Sequence, residues 1–271
     1  MTTASTTSPV ARQYDRFQAS LESLDKPQKY LNYGYTVSPR ESYEARQRRL
    51  CLEVFRAADL APHHRIVDVG FGSGEQDFLL LGTCPFDRLV GFNISERQVR
   101  YASARAAADP AAHRLSFRLG EAERLPGIAP ASVDRVLAIE CAFYFDRPRF
   151  YERAAEVLAP GGRLVAADIA FADRLAWLTR RRDDFRRVGT RSSNRAAWER
   201  HFHTRSVTDI SRQTRPGAQM TVSRILRTVP AAKLGRAERL EWLKMAFYSQ
   251  FVALGLRLRL LHYDLVVLEK R

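Results

Sequence analysis

Along the middle of the chain, segments with the hydrophobic pattern of a strand alternate with segments that have the pattern of a helix. Short apolar runs typical of buried strands are separated by segments in which apolar residues recur every three or four positions. The runs occupy residues 65–69, 88–92, 115–119, 132–139 and 159–165. Because strand and helix alternate, this order predicts an α/β fold with a parallel sheet and helices on both faces.

Helical periodicity also surrounds this centre. It predicts helices over residues 13–24 and 38–58 before the first strand, and over 171–188, 219–228 and 236–254 after the fifth, with a sixth strand at 206–210. Residues 189–205 are mostly polar. In the last predicted helix the apolar side chains on one face are Leu240, Leu243, Phe247, Phe251 and Leu254.

A glycine-rich turn follows the first strand. Gly70, Gly72 and Gly74 occupy alternate positions, and a helix is expected to begin directly at Glu75. Glycine can adopt positive φ and lets a ligand lie against the main chain. A dinucleotide-binding turn has its third glycine where this chain has Glu75, whose carboxylate would repel a pyrophosphate and suits a cationic ligand. The turn therefore predicts a site for a nucleotide-sized, positively charged molecule.

Polar residues follow the next strands. Asn93-Ile94-Ser95 ends the second strand, and Ser95 with Gln98 three residues later matches a helix capping box. Glu121-Ala122 follows the third strand, and Glu140 the fourth. Ligands of open α/β sheets bind beyond the carboxyl ends of the strands, so these residues are expected to meet there.

Three motifs together resemble the class I S-adenosylmethionine (SAM)-dependent methyltransferases. They are D-x-G-x-G-x-G from Asp68, G-E-A-x-x-L-P from Gly120 and L-x-P-G-G-x-L from Leu158, and the resemblance covers about residues 65–168. It is similar to the small-molecule branch, which includes natural-product, sterol, tocopherol and prenyl-diphosphate C-methyltransferases. The resemblance implies a Rossmann-like, seven-stranded, mostly parallel sheet whose antiparallel last strand is residues 262–269.

The resemblance also implies the cofactor, SAM, and residues around it. These are Asp68, Gly70, Gly72, Gly74, Asn93, Ile94, Gln98, Glu121, Ala122 and Glu140. Asn93 stands where the family usually has a carboxylate for the ribose hydroxyls; an amide still offers two hydrogen bonds. By position, Glu121 and the backbone of Ala122 would receive the adenine.

Glu140 and Tyr144 are the predicted catalytic residues. Relatives that methylate hydroxyls often have E-x-x-x-H, whereas E-x-x-x-Y occurs in those that methylate the alkene of a prenyl diphosphate, where a Glu removes a proton from a carbocation. Tyr, with a pKa near 10, is a poor base at neutral pH. Three functions stay open: methylation of a largely apolar secondary metabolite, C-methylation of an isoprenoid diphosphate with Glu140 as base, and SAM binding without methyl transfer, for cyclisation or partner binding.

The expected division of the chain follows the motifs. It consists of a disordered tail (1–12), a helical and lid segment (13–62), the SAM-binding core (63–170), a helical cap insertion (171–205) and the C-terminal part of the fold (206–271). Tyr30, Tyr33 and Tyr35 are interpreted as a lid over the ligand. Further candidates for the acceptor pocket are Phe143, Arg174, Trp198, His201, Trp242 and Met245, with His201 and His203 as alternative bases.

Charge and composition add a hypothesis about partners. The net charge is +14, and residues 174–215 hold twelve Arg against four acids. This segment is either a solvated surface or the wall of a pocket for an anionic acceptor, a diphosphate or carboxylate. Motifs for nucleic-acid binding, a disulfide framework, a metal site, a signal peptide or a membrane span are not found in the sequence. We therefore expect a cytoplasmic enzyme with a small-molecule acceptor; whether it forms a homo-oligomer stays open.

Overall fold

A seven-stranded sheet forms the centre of the molecule. The computed structural model describes residues 9–22, 29–231 and 235–271. The strands are β1 (Arg65–Val69), β2 (Arg88–Asn93), β3 (Leu115–Leu119), β4 (Val133–Ile139), β5 (Leu158–Phe171), β6 (Phe202–Asp209) and β7 (Leu261–Lys270). They stand in the order β3-β2-β1-β4-β5-β7-β6, with β7 antiparallel to β5 and β6 and the other neighbouring pairs parallel. The predicted Rossmann-like sheet with an antiparallel last strand is confirmed.

Helices cover both faces of this sheet. They are α1 (Pro9–Glu22), α2 (Tyr43–Ala58), α3 (Glu75–Thr83), α4 (Glu96–Ala107), α5 (Arg147–Val157), α6 (Ala176–Thr179), α7 (Asp183–Val188), α8 (Arg191–Trp198), α9 (Ser211–Ala231) and α10 (Arg236–Arg257). Short 3-10 turns occupy Pro110–Arg114, Ala142–Tyr144 and Asp173–Leu175. None of the described helices combines the length and the apolar composition that crossing a membrane requires.

The alternation of side chains along the strands divides the core in two. Ile66 of β1 packs with α2 and α3 on one face, whereas Val67 and Val69 pack with α5 on the other. A third, smaller cluster joins α1, α9 and α10 around Phe17 and Trp242. The N-terminal helix is thereby held against the two helices that precede the last strand.

Several predicted boundaries are wrong. Residues 9–12, assigned to the tail, belong to α1; residues 1–8, and residues 23–24 of the predicted helix 13–24, lie outside the described part of the chain. Helix α2 begins at Tyr43 rather than near residue 38, because the Ser42 hydroxyl accepts a hydrogen bond from Ala45 N–H and caps the helix there.

The predicted helix over 171–188 is also wrong in part. Phe171 is the last residue of β5, and the following residues form a 3-10 turn and the short helices α6 and α7. The structure adds α8 to residues 189–205, which were predicted only as polar. Thr190 caps α8 by accepting a hydrogen bond from Ser193 N–H.

Candidate functional site

The main pocket lies at the carboxyl ends of β1, β2 and β4, where the sequence predicts it. Its floor is the glycine turn after β1, and its walls come from the ends of the neighbouring strands, from α1 and from the segment before α2. Its lining includes Val10, Tyr14, Lys29, Tyr30, Leu31, Asn32, Gly70, Gly72, Gln76, Asn93, Ile94, Gln98, Gly120, Ala122, Glu140, Cys141 and Tyr144. Most of the predicted cofactor residues therefore converge on one cavity.

Backbone conformation explains the glycine at position 70. Its φ is +70°, and a Cβ there would lie 2.6 Å from Cys141 Cβ. The Gly70 N–H donates to Phe92 O at 2.8 Å, which ties the turn to β2. A side chain at this position would strain the backbone and displace the β4 end of the pocket.

Asn93 is held by a network at the end of β2. Its Oδ1 accepts from Ser95 N–H at 3.0 Å, and its Nδ2 donates to Gln98 Oε1 at 2.9 Å. The predicted capping box is thus only half formed: Ser95 Oγ accepts from Gln98 N–H, but Gln98 turns its amide to Asn93. Gln98 Nε2 is buried without a hydrogen-bond partner among the described residues. A buried donor of this kind, on the pocket wall, fits an oxygen of a bound ligand.

Asp68 lies beneath the turn rather than in the pocket lining. Its Oδ2 accepts from Gln76 Nε2 at 2.5 Å, and Gln76 does line the pocket. Burial raises the pKa of Asp68 to about 6, and burial together with the Asp68 charge raises the pKa of Asp77 well above its usual range. Asp68 Oδ1 and Asp77 Oδ2 are buried and have no hydrogen-bond partner in the described chain. One proton shared by the two carboxyls satisfies both atoms.

Glu121 does not reach the main pocket. Its carboxylate pairs with Arg124 at 3.1 Å and faces an adjoining cleft between the β3 loop and α5, whereas Gly120 and Ala122 line the main pocket. The side chain is 44% exposed. The predicted contact of this carboxylate with adenine therefore stays a prediction, while the backbone of Ala122 is in position.

Glu140 directly follows β4 and is held from two distant parts of the chain. Its Oε1 accepts a hydrogen bond from Tyr33 N–H at 2.6 Å and another from the Tyr263 hydroxyl at 2.7 Å. Its backbone has a φ of +52°, an uncommon value for a residue with a side chain. Burial raises the pKa of Glu140 to about 8, although both hydrogen bonds oppose the rise. The site thus contains a carboxyl group that titrates near neutral pH.

Tyr144 lies in the same pocket and is paired with a second tyrosine. The Tyr14 hydroxyl of α1 donates to the Tyr144 hydroxyl at 3.0 Å, and the rings meet edge to face. Burial raises the pKa of Tyr14 to about 12 and also raises the pKa of Tyr144. Both are therefore neutral phenols that can orient a ligand but do not remove a proton at neutral pH.

Of the three tyrosines in the segment before α2, Tyr30 lines the main pocket, whereas Tyr33 and Tyr35 are outside its described lining. Tyr30 lines the pocket and is buried, and the Tyr33 hydroxyl shares a hydrogen bond with Ser249 of α10 at 3.3 Å. Tyr35 does not line the pocket; its N–H donates to Arg46 O. The Gln47 side chain holds the segment by donating to the carbonyls of residues 30 and 32.

Most of the other candidates for the acceptor pocket lie elsewhere. Trp198 packs on Tyr151 in the core, and Trp242 packs on Phe17 and donates to Ser20 Oγ. Met245 packs against the same cluster as Trp242, and Phe143 packs against the main core beside Tyr144. None of these four side chains lines the main pocket.

The remaining three candidates also lie outside the pocket lining. Arg174 donates to the carbonyls of Leu258 and Arg259, His201 follows α8, and His203 is exposed on β6. Neither histidine is within the described lining of the pocket. A histidine base therefore has no support from the lining of the main pocket, and the exposed position of His203 agrees with a surface residue.

The arginine-rich segment is used mainly for internal contacts. Arg191 pairs with Asp209 and Asp264, Arg205 with Glu269, and Arg187 donates to Tyr144 O. Lys29 is the one basic residue in the described lining of the main pocket, and it pairs with Glu44 at 3.3 Å. Arg187 of this segment also lines the cleft that adjoins the main pocket, so the wall of an anion pocket stays a prediction.

Sequence reasoning missed Tyr14 and Tyr263. Tyr14 belongs to a short amphipathic helix, and Tyr263 lies between His262 and Asp264 in a strand that is otherwise mostly apolar. No local motif marks either residue. The contacts that give them a role join positions 130 and 123 residues apart in the sequence.

Known proteins with similar sequences are methyltransferases. A family model described as "Methyltransferase domain" matches residues 67–166. Erythromycin 3''-O-methyltransferase of Saccharopolyspora erythraea is 37% identical over 141 residues, which cover 52% of this chain and 46% of the relative. The 27-O-demethylrifamycin SV methyltransferase of Amycolatopsis mediterranei is 31% identical over 188 residues, covering 69% and 68%. The chain spans about half the length of the curated relatives that it matches first.

Solved structures show the same fold. The [4+2]-cyclase SpnF superimposes with a TM-score of 0.78 at 20% identity, covering 96% of this chain and 94% of that one. A geranyl diphosphate C-methyltransferase from Streptomyces coelicolor, in complex with Mg²⁺, geranyl diphosphate and S-adenosyl-L-homocysteine, gives a TM-score of 0.71 at 16% identity, covering 99% and 100%.

Proposed function

We propose, since the chain belongs to the class I SAM-dependent methyltransferases, that it transfers a methyl group to a hydroxyl of a neutral, largely apolar secondary metabolite. The observation that carries this proposal is the position of Glu140. A carboxyl group with a pKa near 8 lies in a pocket that otherwise offers mainly glycine backbone, apolar side chains, amides and phenols, with Lys29 and Glu75 as the other charged residues of its described lining.

The residues present fit the cofactor. The turn at Gly70 and Gly72 offers bare backbone, and Gln98 Nε2 is a buried donor without a partner in the described chain. We assign the sugar to Asn93 and Gln98, and the base to the backbone of Gly120 and Ala122. When bound, SAM supplies a methyl group on a sulfonium sulfur, so the protein's main contributions are alignment and exclusion of water.

Glu140 would act as the general base. Both hydrogen bonds to its carboxylate end on Oε1, which fixes the orientation of the group and leaves Oε2 without a bond from the described residues. A base works best when its pKa is close to the working pH. The raised pKa thus makes Glu140 better suited to accept the proton of an acceptor hydroxyl than an ordinary glutamate. The paired hydroxyls of Tyr14 and Tyr144 would orient that acceptor.

The charge of the main pocket favours a neutral acceptor, whereas the adjoining cleft is lined by Arg124, Arg149, Arg153 and Arg187. Lys29 is the one basic side chain in the described lining of the main pocket and already has a carboxylate partner. A diphosphate usually requires several cationic donors. Because a solved geranyl diphosphate C-methyltransferase shares the fold, methylation of an isoprenoid diphosphate is the second candidate, with Glu140 removing a proton from the carbocation.

The test is methyl transfer from SAM to two acceptor sets, neutral hydroxylated natural products and geranyl diphosphate. Formation of S-adenosylhomocysteine together with a methylated product, measured by mass spectrometry, identifies the class. If geranyl diphosphate is methylated and none of the neutral acceptors is, methylation of a neutral hydroxylated metabolite is overturned. Tight binding of S-adenosylhomocysteine with no methylated product from either set would instead indicate a protein that binds the cofactor without methyl transfer.

Glu140→Gln tests the base directly. We expect kcat to fall by about 10²- to 10⁴-fold, with the Kd of S-adenosylhomocysteine, measured by calorimetry, unchanged. Glu156→Gln, on the exposed side of α5, is the matched control and should keep the wild-type rate. Equal rates for the two variants would remove Glu140 from the chemistry.

A further inference from the structure

Helix α10 has apolar side chains on two opposite faces. One face is buried against α1, α9 and the sheet through Trp242, Ala246 and Val252. The other face is exposed to solvent over five turns, with side chains that are 42% to 70% exposed. Its members are Leu240, Leu243, Phe247, Tyr248, Phe251 and Leu254, together with Leu258 directly after the last residue of the helix, and we call this set the outer stripe.

The outer stripe is too large and too continuous to be a scatter of surface residues. At a rise of about 1.5 Å per residue it is roughly 27 Å long, from Leu240 to Leu258. Contiguous exposed apolar patches on soluble proteins usually mark a contact with another molecule. No segment within residues 9–22, 29–231 and 235–271 covers it.

The charges beside the stripe are basic. Arg236 and Arg239 lie at its N-terminal end, Lys244 at its middle, and Arg257 with Arg259 at its C-terminal end, all exposed. The acidic side chains of this helix already have partners: Glu238 accepts from Gly235 N–H, and the buried Glu241 pairs with Arg16 and with Lys244, whose charge it offsets in part.

This charge pattern argues against a second copy as the occupant. A twofold contact through α10 would bring the basic ends of one helix onto those of the other. With a net charge of +14, two copies also repel each other over a longer range. The pattern is complementary to an anionic surface instead.

We infer that the outer stripe of α10 docks the protein on the surface of an anionic lipid bilayer. Apolar and aromatic side chains on a helix flanked by Lys and Arg insert into the boundary between headgroups and acyl chains, while the cations meet lipid phosphates. A single convex helix matches this planar surface without needing a groove in a partner. The helix would lie in the interface and not cross the bilayer.

The opposite face of the same helix reaches the site. Ser249, on the buried face of α10, shares a hydrogen bond with Tyr33, whose N–H donates to Glu140. Docking through α10 therefore brings the bilayer, in which an apolar acceptor concentrates, to the side of the helix opposite the residue that holds Glu140. That link to the acceptor rests on the proposed function, but the docking itself does not.

The experiment is vesicle sedimentation of the full chain. We expect binding to vesicles of phosphatidylcholine mixed with phosphatidylglycerol, at least tenfold weaker binding to phosphatidylcholine alone, and weakening by salt. The double variant Phe247→Ser, Phe251→Ser should lose at least tenfold of its partitioning to the anionic vesicles. Val207→Ser, which removes an exposed apolar side chain from β6, is the control and should bind like the wild type.

Tryptophan emission and cofactor binding test the same docking surface in two further ways. In Phe247→Trp, tryptophan emission should shift to shorter wavelength when anionic vesicles are added, and in Val207→Trp it should not. Retained binding of S-adenosylhomocysteine by the double variant shows that it is folded. Equal partitioning of the double variant and the wild type, or a vesicle-free dimer that the double variant abolishes in sedimentation velocity, would overturn the inference; neither result bears on methyl transfer.

Discussion

Removing the hydroxyl of Tyr263 should shift the pH dependence of the reaction. This hydroxyl donates to Glu140 Oε1 at 2.7 Å and stabilises the charged carboxylate, so it lowers the pKa of Glu140. Tyr263→Phe deletes that hydrogen bond and leaves the ring, which is fully buried, in its place. The pKa of Glu140 should therefore rise from its value of about 8.

The size of the rise follows from the strength of the bond. A hydrogen bond to a charged group contributes about 1.5–3 kcal/mol, and about 1.4 kcal/mol corresponds to one pKa unit. The acid limb of kcat/KM should move up by about 1 to 2 pH units. At neutral pH this lowers kcat/KM roughly ten- to one-hundredfold, because less of the carboxyl is ionised. At pH values above both pKa values most of the rate should return.

The assay is the pH profile of kcat/KM, with Tyr101→Phe on the exposed side of α4 as the control. A merely structural role for Tyr263 would lower the rate equally at all pH values. An acid limb that does not move in Tyr263→Phe would refute the assignment of Glu140 as the titrating base.

Three other variants test the site and its support. Arg147→Met should lower the free energy of unfolding in urea by about 3–5 kcal/mol, because it leaves Asp168 buried without its partner at 2.8 Å; Arg149→Met, which removes an exposed ion pair, should cost less than about 1 kcal/mol. Gly70→Ala should weaken binding of S-adenosylhomocysteine at least tenfold in calorimetry, since the added Cβ meets Cys141; unchanged affinity would contradict the geometry of the turn. Asp77→Asn should flatten the dependence of stability on pH, because the raised pKa values of Asp68 and Asp77 make the contribution of this pair greatest at acid pH. That contribution is lost as the pH rises from the ordinary pKa of an aspartate through the raised values. The raised pKa of Glu140 acts in the same direction in both proteins. Denaturation at several pH values should therefore show a smaller slope of unfolding free energy against pH in Asp77→Asn than in the wild type. An unchanged slope would count against the shared proton.

Local sequence was sufficient for the features that depend on neighbouring residues. The five strands of the centre, the turn at Gly70 and the cap at Ser95 were predicted because hydrophobic period, backbone freedom and capping act within a few positions. The position of Glu140 at the edge of the sheet followed from the same pattern. Its pKa did not, because that depends on burial and on bonds from residues 33 and 263.

The arginine-rich segment shows why charge counts alone mislead. A local excess of Arg suggests an anion site, but Arg191 and Arg205 find their carboxylates on β7, at positions 264 and 269. Those acids lie more than sixty residues away in the sequence. Arg205 meets Glu269 because β6 pairs antiparallel with β7, and Arg191 meets Asp264 because the first residue of α8 lies beside the same strand. The local excess of Arg is thus partly offset by carboxylates that the fold brings next to it. The composition of the segment alone gives no information about these partners.

The last helix shows a related limit of hydrophobic periodicity. The sequence correctly grouped Leu240, Leu243, Phe247, Phe251 and Leu254 on one face, and such a face is normally the buried one. In the structure it is the exposed face, because Trp242, Ala246, Val252 and Leu256 supply a second apolar face that packs inward. A helix with two apolar faces can bury only one of them against its own domain. The sequence therefore carried evidence for an external partner at α10, but only the packing shows which face that partner would meet.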